Sequence, residues 1–229
     1  MSDQLMFSIF PYVAMIVATF VPMARYRSER FKFTSLSSQF LEGRTLFWGS
    51  VPWHIGIIGV MTGHLIGFLV PAKVLAFNSV PLRLIILEVT GLAFAILAFV
   101  GLALLIVRRL SNKRVQVVSS TSDYVVLVVL LVQVISGIGI AVAYRWGSNW
   151  YAASMVPYLR SVFIYFKPNL GYVASMPWLV KLHILNAYLF LLLIPFTRFI
   201  HFLVVPLQYL TRSWQVVRWN WDPTKSRKN

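Results

Sequence analysis

The sequence predicts an all-α integral membrane protein, a bundle of five transmembrane helices with the N-terminus outside and the C-terminus cytoplasmic. Composition is the first reason: 59% of the 229 residues are hydrophobic and 12% are charged. The mean hydropathy is +0.74, as in membrane proteins. The second reason is that apolar residues gather in five runs of about 20 residues or more, enough to cross a hydrocarbon core about 30 Å thick. The third is an alternation of strongly and weakly basic loops, which sets the orientation.

Each apolar run predicts one helix of a single membrane domain, residues 1–229. The first run follows four residues with no positive charge and no cleavage site, so we expect a retained helix and not a signal peptide. The connection 144–177 is rich in aromatic residues and prolines, and we expect it to lie along an interface. A cytoplasmic tail is expected over 206–229. The five runs are Leu5–Ala24, Leu46–Val70, Leu84–Val107, Tyr124–Ala143 and Trp178–Val205.

The basic residues are unevenly distributed between the two sides of this bundle. Of the 21 lysines and arginines, 15 fall after the first and third helices or at and beyond the end of the fifth. Basic loops mark the cytoplasmic side, where they face anionic lipid or an acidic partner subunit. A nucleic-acid-binding protein would gather its charges in one patch or stripe, so we exclude nucleic acid as a partner.

All four histidines of the chain fall in predicted spans, two in the second helix and two in the fifth. A single histidine in such a helix is usually a hydrogen-bonded structural residue. Four of them, with none elsewhere, favour a function, because an ionisable group within the bilayer is costly. They are His54, His64, His183 and His201.

Helical spacing sorts these histidines into two pairs. His183 and His201 lie about 27 Å apart on one helix face, and His54 and His64 lie about 15 Å apart. Because the two helices run in opposite directions, His64 faces His183 toward the outer leaflet. His54 faces His201 toward the cytoplasm. Such separations exclude one four-histidine metal ion, whereas a haem iron takes one imidazole from each of two helices. The chain has no cysteine for thioether attachment, so we expect two non-covalent haem b groups.

A ridge of glycines accompanies these histidines on the second helix. Gly59, Gly63 and Gly67 recur every four residues, a spacing typical of close helix contacts in membranes. Beside His64, the bare backbone of Gly63 would also let a macrocycle approach closely. Both interpretations remain open along different parts of the face.

Three charged residues carry weaker expectations. Arg198 lies near His201 and would pair with a haem propionate or extend to lipid headgroups. Glu88 is expected to pair with Arg83, with a proton-carrying role as the alternative. Asp123 is expected to be the N-cap of the fourth helix.

Three stretches resemble a known family. They are WHIGIIGVMTGH (53–64), RRLSNKRV (108–115) and KLHILNAYLFLLLIPFTRFIHFLVVPLQYLTRSWQVVR (181–218). Together they resemble the gamma subunit of respiratory membrane-bound nitrate reductase, a dihaem cytochrome b of the prokaryotic cytoplasmic membrane. The likeness is weakest over 144–177.

The resemblance implies a role for each matching residue. His64 and His183 would ligate a distal haem near the outer face, beside which quinol is oxidised and its protons leave to the outside. His54 and His201 would ligate the proximal haem. Electrons would then pass to a cytoplasmic iron–sulfur (beta) subunit and a molybdenum (alpha) subunit that reduces nitrate, so this chain holds no nitrate-reducing site. Arg83 matches a basic residue, usually lysine in the family, that contacts quinol.

Two other functions fit the same residues. Related cytochromes b serve heterodisulfide-reductase-like, sulfite-reducing or nitrite-oxidising complexes, and the sequence does not fix the partner. A haem-free proton channel or transporter is the other class. The lack of an inverted repeat and the single acidic residue well inside a span, Glu88, argue against it.

Overall fold

The computed structural model describes residues 2–28 and 43–199. Those residues form helices and connecting turns, with no β-strand among them. The all-α class and the predicted number of helices are therefore confirmed. His201 and the expected tail 206–229 lie outside the described residues. Five helices are long and apolar enough to cross a membrane: α1 Leu5–Ser28, α2 Arg44–Leu69, α3 Pro81–Ser111, α4 Thr121–Ala143 and α5 Trp178–Phe196.

The helices extend beyond most of the predicted apolar runs, because backbone hydrogen bonding continues through polar residues at the ends. In α3 the helix begins at Pro81, whose missing N–H is no loss in the first turn, and continues past Arg108 and Arg109. Basic side chains in a last turn favour the negative end of the helix dipole. α5 is α-helical only over Trp178–Leu193 and closes with a 3-10 turn, Ile194–Phe196, after which Thr197 is extended. The continuous helix expected as far as Val205 is therefore wrong, and the whole-turn spacing that placed His183 and His201 on one face is interrupted.

α4 begins with a capping box that differs from the expected cap. Ser120, not Asp123, is the N-cap residue, and Asp123 occupies the third helical position. The Asp123 carboxylate accepts a hydrogen bond of 3.0 Å from the Ser120 backbone N–H. This reciprocal arrangement satisfies donors that a helix start leaves without partners.

α2 and α3 pack with their backbones in close contact. A Cβ atom added to Gly101 would lie 2.3 Å from the Trp53 backbone nitrogen, and one added to Gly56 would lie 2.4 Å from the Ala98 nitrogen. Only residues without a side chain fit at such a crossing. Trp53 is buried on this contact, with 6% of its surface exposed. The contact fixes which face of α2 meets α3 and which face remains for other partners.

The connection between α4 and α5 folds into short helices that cover one end of the bundle. Tyr158 is fully buried, and its hydroxyl donates to the Phe7 carbonyl of α1 at 2.9 Å. Arg160 donates to the Phe68 and Leu69 carbonyls at 2.7 and 3.0 Å, which satisfies the C-terminal end of α2. The connection therefore fastens α1 and α2 together. Its helical pieces are Gly147–Trp150, Tyr151–Met155, Val156–Phe163 and Gly171–Ala174.

Replacing Gly101 by alanine is expected to destabilise the protein, because the new methyl group would force the backbones of α2 and α3 apart. We expect the free energy of unfolding in detergent to fall by about 1–3 kcal/mol, measured by denaturant or thermal unfolding. Gly91→Ala on the same helix is the matched control, since no atom lies within 4 Å of its added Cβ. Equal stability of the two variants would contradict the close crossing.

Candidate functional site

The two histidines of α2 are held in one tautomer by their own helix. The Nδ1 atom of His54 lies 2.7 Å from the Ser50 carbonyl oxygen, and that of His64 lies 2.9 Å from the Val60 carbonyl oxygen. A carbonyl oxygen only accepts, so each Nδ1 carries the proton and donates it. The lone pair is left on Nε2, the atom that a metal would bind. Both side chains are exposed, away from the contact with α3.

His183 of α5 lies against α4, where it joins a hydrogen-bond network with Gln133, Ser136 and Asn186. The Val129 carbonyl, which can only accept, identifies the donor and acceptor atoms of this network. The Asn186 amide nitrogen donates to the Val129 carbonyl at 2.9 Å, which identifies it as the nitrogen of that amide. The same nitrogen lies 2.7 Å from Gln133 Oε1. The Gln133 atom facing His183 is therefore its NH₂ group, a donor, which lies 3.0 Å from His183 Nε2 and 3.3 Å from Nδ1.

It follows that His183 Nε2 accepts and Nδ1 carries the proton. Nδ1 lies 2.9 Å from Ser136 Oγ, and the Ser136 hydroxyl lies 3.0 Å from the Gln133 carbonyl oxygen, to which it donates. Ser136 thus accepts from His183 and donates to the main chain. All three described histidines have the same tautomer, with the lone pair on Nε2. For His183, a metal and the Gln133 amide would compete for that lone pair.

His64 and His183 lie within electrostatic range of each other. Tyr151, from the α4–α5 connection, packs its ring edge-on against His64 with centroids 5.2 Å apart and donates from its hydroxyl to the His64 carbonyl at 3.1 Å. Burial raises the pKa of Tyr151 to about 12, so this hydroxyl stays a donor at physiological pH. The partner expected for His54, His201, lies outside the described residues.

The three glycines of the α2 ridge fall into two groups, one in packing contacts and one beside open space. A Cβ on Gly59 would lie 2.5 Å from the Phe94 ring of α3, and one on Gly67 would lie 2.7 Å from the Tyr151 ring. These two glycines serve helix and side-chain packing. A Cβ on Gly63 would meet no atom within 4 Å. The bare backbone beside His64 is therefore open, as a closely approaching macrocycle requires.

The donor set fits haem. No cluster of three or more His, Cys, Asp or Glu side chains able to hold a bare metal ion occurs in the described ranges 2–28 and 43–199. Single imidazoles on separate helices are the ligand type that suits an iron whose other ligands come from a porphyrin. Three Nε2 lone pairs on two helices, and the open backbone at Gly63, satisfy that requirement.

Arg198 takes part in an ion-pair cluster that the sequence did not predict. Its Nε lies 3.1 Å from one oxygen of Asp123, and Arg109 Nη1 lies 3.0 Å from the other. The Asp123 side chain is 4% exposed, so this carboxylate links the ends of α3, α4 and α5. The propionate contact of Arg198 stays a prediction beside this structural role.

The expected ion pair between Glu88 and Arg83 is wrong. Glu88 Oε1 accepts hydrogen bonds from the Ser148 hydroxyl at 2.6 Å and from the Ser148 backbone N–H at 2.8 Å. The Arg83 guanidinium instead lies over the Phe77 ring, 5.6 Å from its centroid, and its side chain is exposed. The five-residue spacing sets the two side chains about 140° apart around α3, so they face different neighbours.

The sequence analysis did not identify the polar residues around His183, although their positions within apolar spans indicated that they contact one another. Gln133 and Ser136 lie three residues apart within the apolar run of α4, and Asn186 lies three residues after His183. Polar side chains inside a span must find partners. Their helical spacing places Gln133 with Ser136 on one face and Asn186 with His183 on another.

Comparisons with known proteins agree with the resemblance seen in the motifs. The sequence profile of the family described as nitrate reductase gamma subunit matches residues 3–220. The chain is 34% identical over 221 residues to the nitrate reductase gamma chain of Bacillus subtilis, covering 95% of this chain and 99% of that protein. It is 31% identical over 216 residues to the respiratory nitrate reductase 2 gamma chain of Escherichia coli, covering 93% and 95%. The nitrate reductase-like protein NarX of Mycobacterium tuberculosis is 30% identical over 229 residues, which are 95% of this chain and 34% of that protein.

Asp123→Asn is expected to destabilise the bundle, because it removes the buried charge that Arg109 and Arg198 share. Breaking a buried pair typically costs about 3–5 kcal/mol, measured as the free energy of unfolding in detergent. Asp3→Asn is the control: Asp3 pairs with Lys181 at 3.1 Å but is 48% exposed, so its loss should cost about 0–1 kcal/mol. A small effect in both variants would contradict the linking role of Asp123.

Proposed function

The chain belongs to the nitrate reductase gamma-subunit family, and from that premise we propose that it is the dihaem cytochrome b subunit that oxidises quinol for a nitrate reductase. It would anchor the cytoplasmic iron–sulfur (beta) and molybdenum (alpha) subunits to the prokaryotic cytoplasmic membrane. The observation that carries this proposal is that His54 and His64 each donate from Nδ1 to a main-chain carbonyl of α2, which leaves the Nε2 lone pair of each for a metal. His183 of α5, within electrostatic range of His64, would supply an imidazole for the same iron as His64.

We assign His64 and His183 to one haem b and His54 and His201 to the other. When bound, the two haems supply a one-electron relay across the membrane. The chain's own residues hold and orient this relay: backbone carbonyls fix the α2 imidazoles, and Tyr151 packs against His64. The open backbone at Gly63 leaves room beside the His64 ligand. Arg198 would meet a propionate of the haem that His201 helps to bind.

Quinol oxidation is assigned to the side of the membrane where His64 and His183 lie. A quinol gives up two electrons, which haems held by these histidines would accept, and two protons, which would leave to the outside. Arg83, at the start of α3, would hold the quinol oxygen with its guanidinium. Its exposed position over the Phe77 ring leaves the planar donors of the guanidinium accessible.

We orient the bundle with the N-terminus outside. The basic residues Arg25 and Arg27 lie in the last turn of α1, and Arg108 and Arg109 lie in that of α3. Arg25 donates to the Pro195 carbonyl near the end of α5, and Asp123 joins the ends of α3 and α5. The basic helix ends thus share one side, which the positive-inside rule assigns to the cytoplasm. That basic side would face the beta subunit and anionic lipid.

Purified protein from haem-replete cells is expected to contain two haem b per chain, and His64→Ala is expected to lose one of them. The variant should retain the haem ligated by His54 and lose quinol oxidation. Reduced-minus-oxidised spectra, haem counts and quinol-oxidation assays measure these outcomes. His54→Ala is the matched variant on the same helix and should lose the other haem. Two haems retained in His64→Ala would contradict the ligand assignment, and a haem-free wild-type protein would refute the cytochrome function.

Arg83→Ala is expected to weaken quinol use without changing the haem spectrum. Loss of a charge-assisted hydrogen bond, about 1.5–3 kcal/mol, should lower kcat/KM for quinol about tenfold or more. Arg83→Lys should retain most of it, because an ammonium keeps the positive charge and can still donate to the quinol oxygen. Arg145→Ala, a basic residue expected on the same side, is the control. An unchanged kcat/KM in Arg83→Ala would exclude Arg83 from the quinol site.

A further inference from the structure

We propose that Ser136 is the positioning residue that fixes the tautomer of His183 and sets the reduction potential of the haem that His183 ligates. This inference rests on the proposed haem ligation and adds to it the residue that tunes one haem separately from the other. Its basis is the 2.9 Å contact between Ser136 Oγ and His183 Nδ1. Nothing in the gamma-family motifs quoted above includes Ser136.

The direction of that hydrogen bond is determined by its neighbours. The Ser136 hydroxyl has a single proton, and the Gln133 carbonyl at 3.0 Å can only accept it. The oxygen lone pairs of Ser136 therefore remain for the Nδ1 proton of His183. The opposite assignment would leave two donors, the Gln133 amide and a protonated Nε2, facing each other at 3.0 Å, which is closer than the 3.3 Å between that amide and Nδ1. In an apolar bundle no water is at hand to relieve such a contact.

Packing holds His183 in reach of this oxygen. Ser136 is 3% exposed and Asn186 is 7% exposed, while Gln133 and His183 are half-buried. A Cβ on Gly137 would lie 3.1 Å from Cε1 of the His183 ring, which means that the imidazole rests directly on the α4 backbone. The ring is thereby pressed against α4 while Ser136 fixes its rotation.

The three described histidines differ in what accepts the Nδ1 proton. His54 and His64 donate to main-chain carbonyls of their own helix, which no substitution removes. The Ser50 hydroxyl also lies 3.1 Å from His54 Nδ1, but the main-chain acceptor of His54 would remain without it. His183 Nδ1, by contrast, has the Ser136 hydroxyl as its acceptor. An acceptor on the far ring nitrogen makes an imidazole a stronger ligand. A stronger ligand stabilises ferric over ferrous iron and lowers the potential. Substitution of Ser136 would therefore change the reduction potential of one haem and not that of the other.

The test is a redox titration of the intact complex, followed by haem absorbance, with the Ser136→Ala and Ser136→Thr variants. Ser136→Ala removes the acceptor, so one midpoint potential should shift upward while the other stays. Ser136→Thr keeps a hydroxyl able to donate to the same carbonyl in a helix and should restore the wild-type value. Ser161→Ala is the matched control, because Ser161 is also buried and its hydroxyl donates to the Tyr158 carbonyl at 2.6 Å but contacts no histidine.

Each outcome decides between the alternatives. An upward shift confined to one haem in Ser136→Ala, with Ser136→Thr and Ser161→Ala at wild-type values, supports the proposal. Loss of one haem from Ser136→Ala supports it if Ser136→Thr retains both haems. Unchanged potentials in Ser136→Ala, equal shifts of both haems, or haem loss from both Ser136 variants overturn it. If the wild-type complex itself contained no haem in this chain, the cytochrome function would fail, a result distinct from any outcome at Ser136.

Discussion

The hydrogen bond from each imidazole Nδ1 to a fixed oxygen is the interaction on which the rest of the site depends. A buried ring N–H without an acceptor is costly in an apolar medium. An imidazole whose tautomer is not fixed has its Nε2 lone pair available to a metal in only a fraction of the molecules. An α-helix offers the carbonyl four residues earlier to a side chain that folds back along it. His54 and His64 use that carbonyl. The same bond that satisfies the donor therefore leaves Nε2 with its lone pair.

A second constraint is that different faces of α2 have different neighbours. Bare backbone at Gly56 lets α3 approach so closely that the backbones of the two helices are in contact. Their contact buries Trp53 and leaves the neighbouring His54 exposed on another face. Toward the far end, Tyr151 covers Gly67, and the backbone at Gly63 stays open between these contacts. One helix thus combines a rigid structural face with a face available to a cofactor.

The sequence predicted the features that follow from local pattern. Five apolar runs gave five helices, because a span must be both long and apolar. What it did not predict depends on tertiary contacts. Glu88 bonds to Ser148 from a distant connection, which no spacing along α3 indicates. The role of Asp123 as a shared counter-charge depends on where the ends of three helices converge. Likewise, the acceptor for His183 comes from another helix, so its identity follows only from the packing of α4 on α5.

The position of His183 has a consequence for biogenesis. Its acceptor lies on α4, its electrostatic neighbour His64 lies on α2, and the histidine itself is supplied by the fifth span. Helices enter the bilayer in the order in which the ribosome makes them. A porphyrin offered to the nascent chain after the second span would find a single imidazole at that level. On the proposed ligation, insertion of the prosthetic group would therefore follow translation of the fifth span, and a truncated chain lacking that span would leave the membrane without pigment at this level.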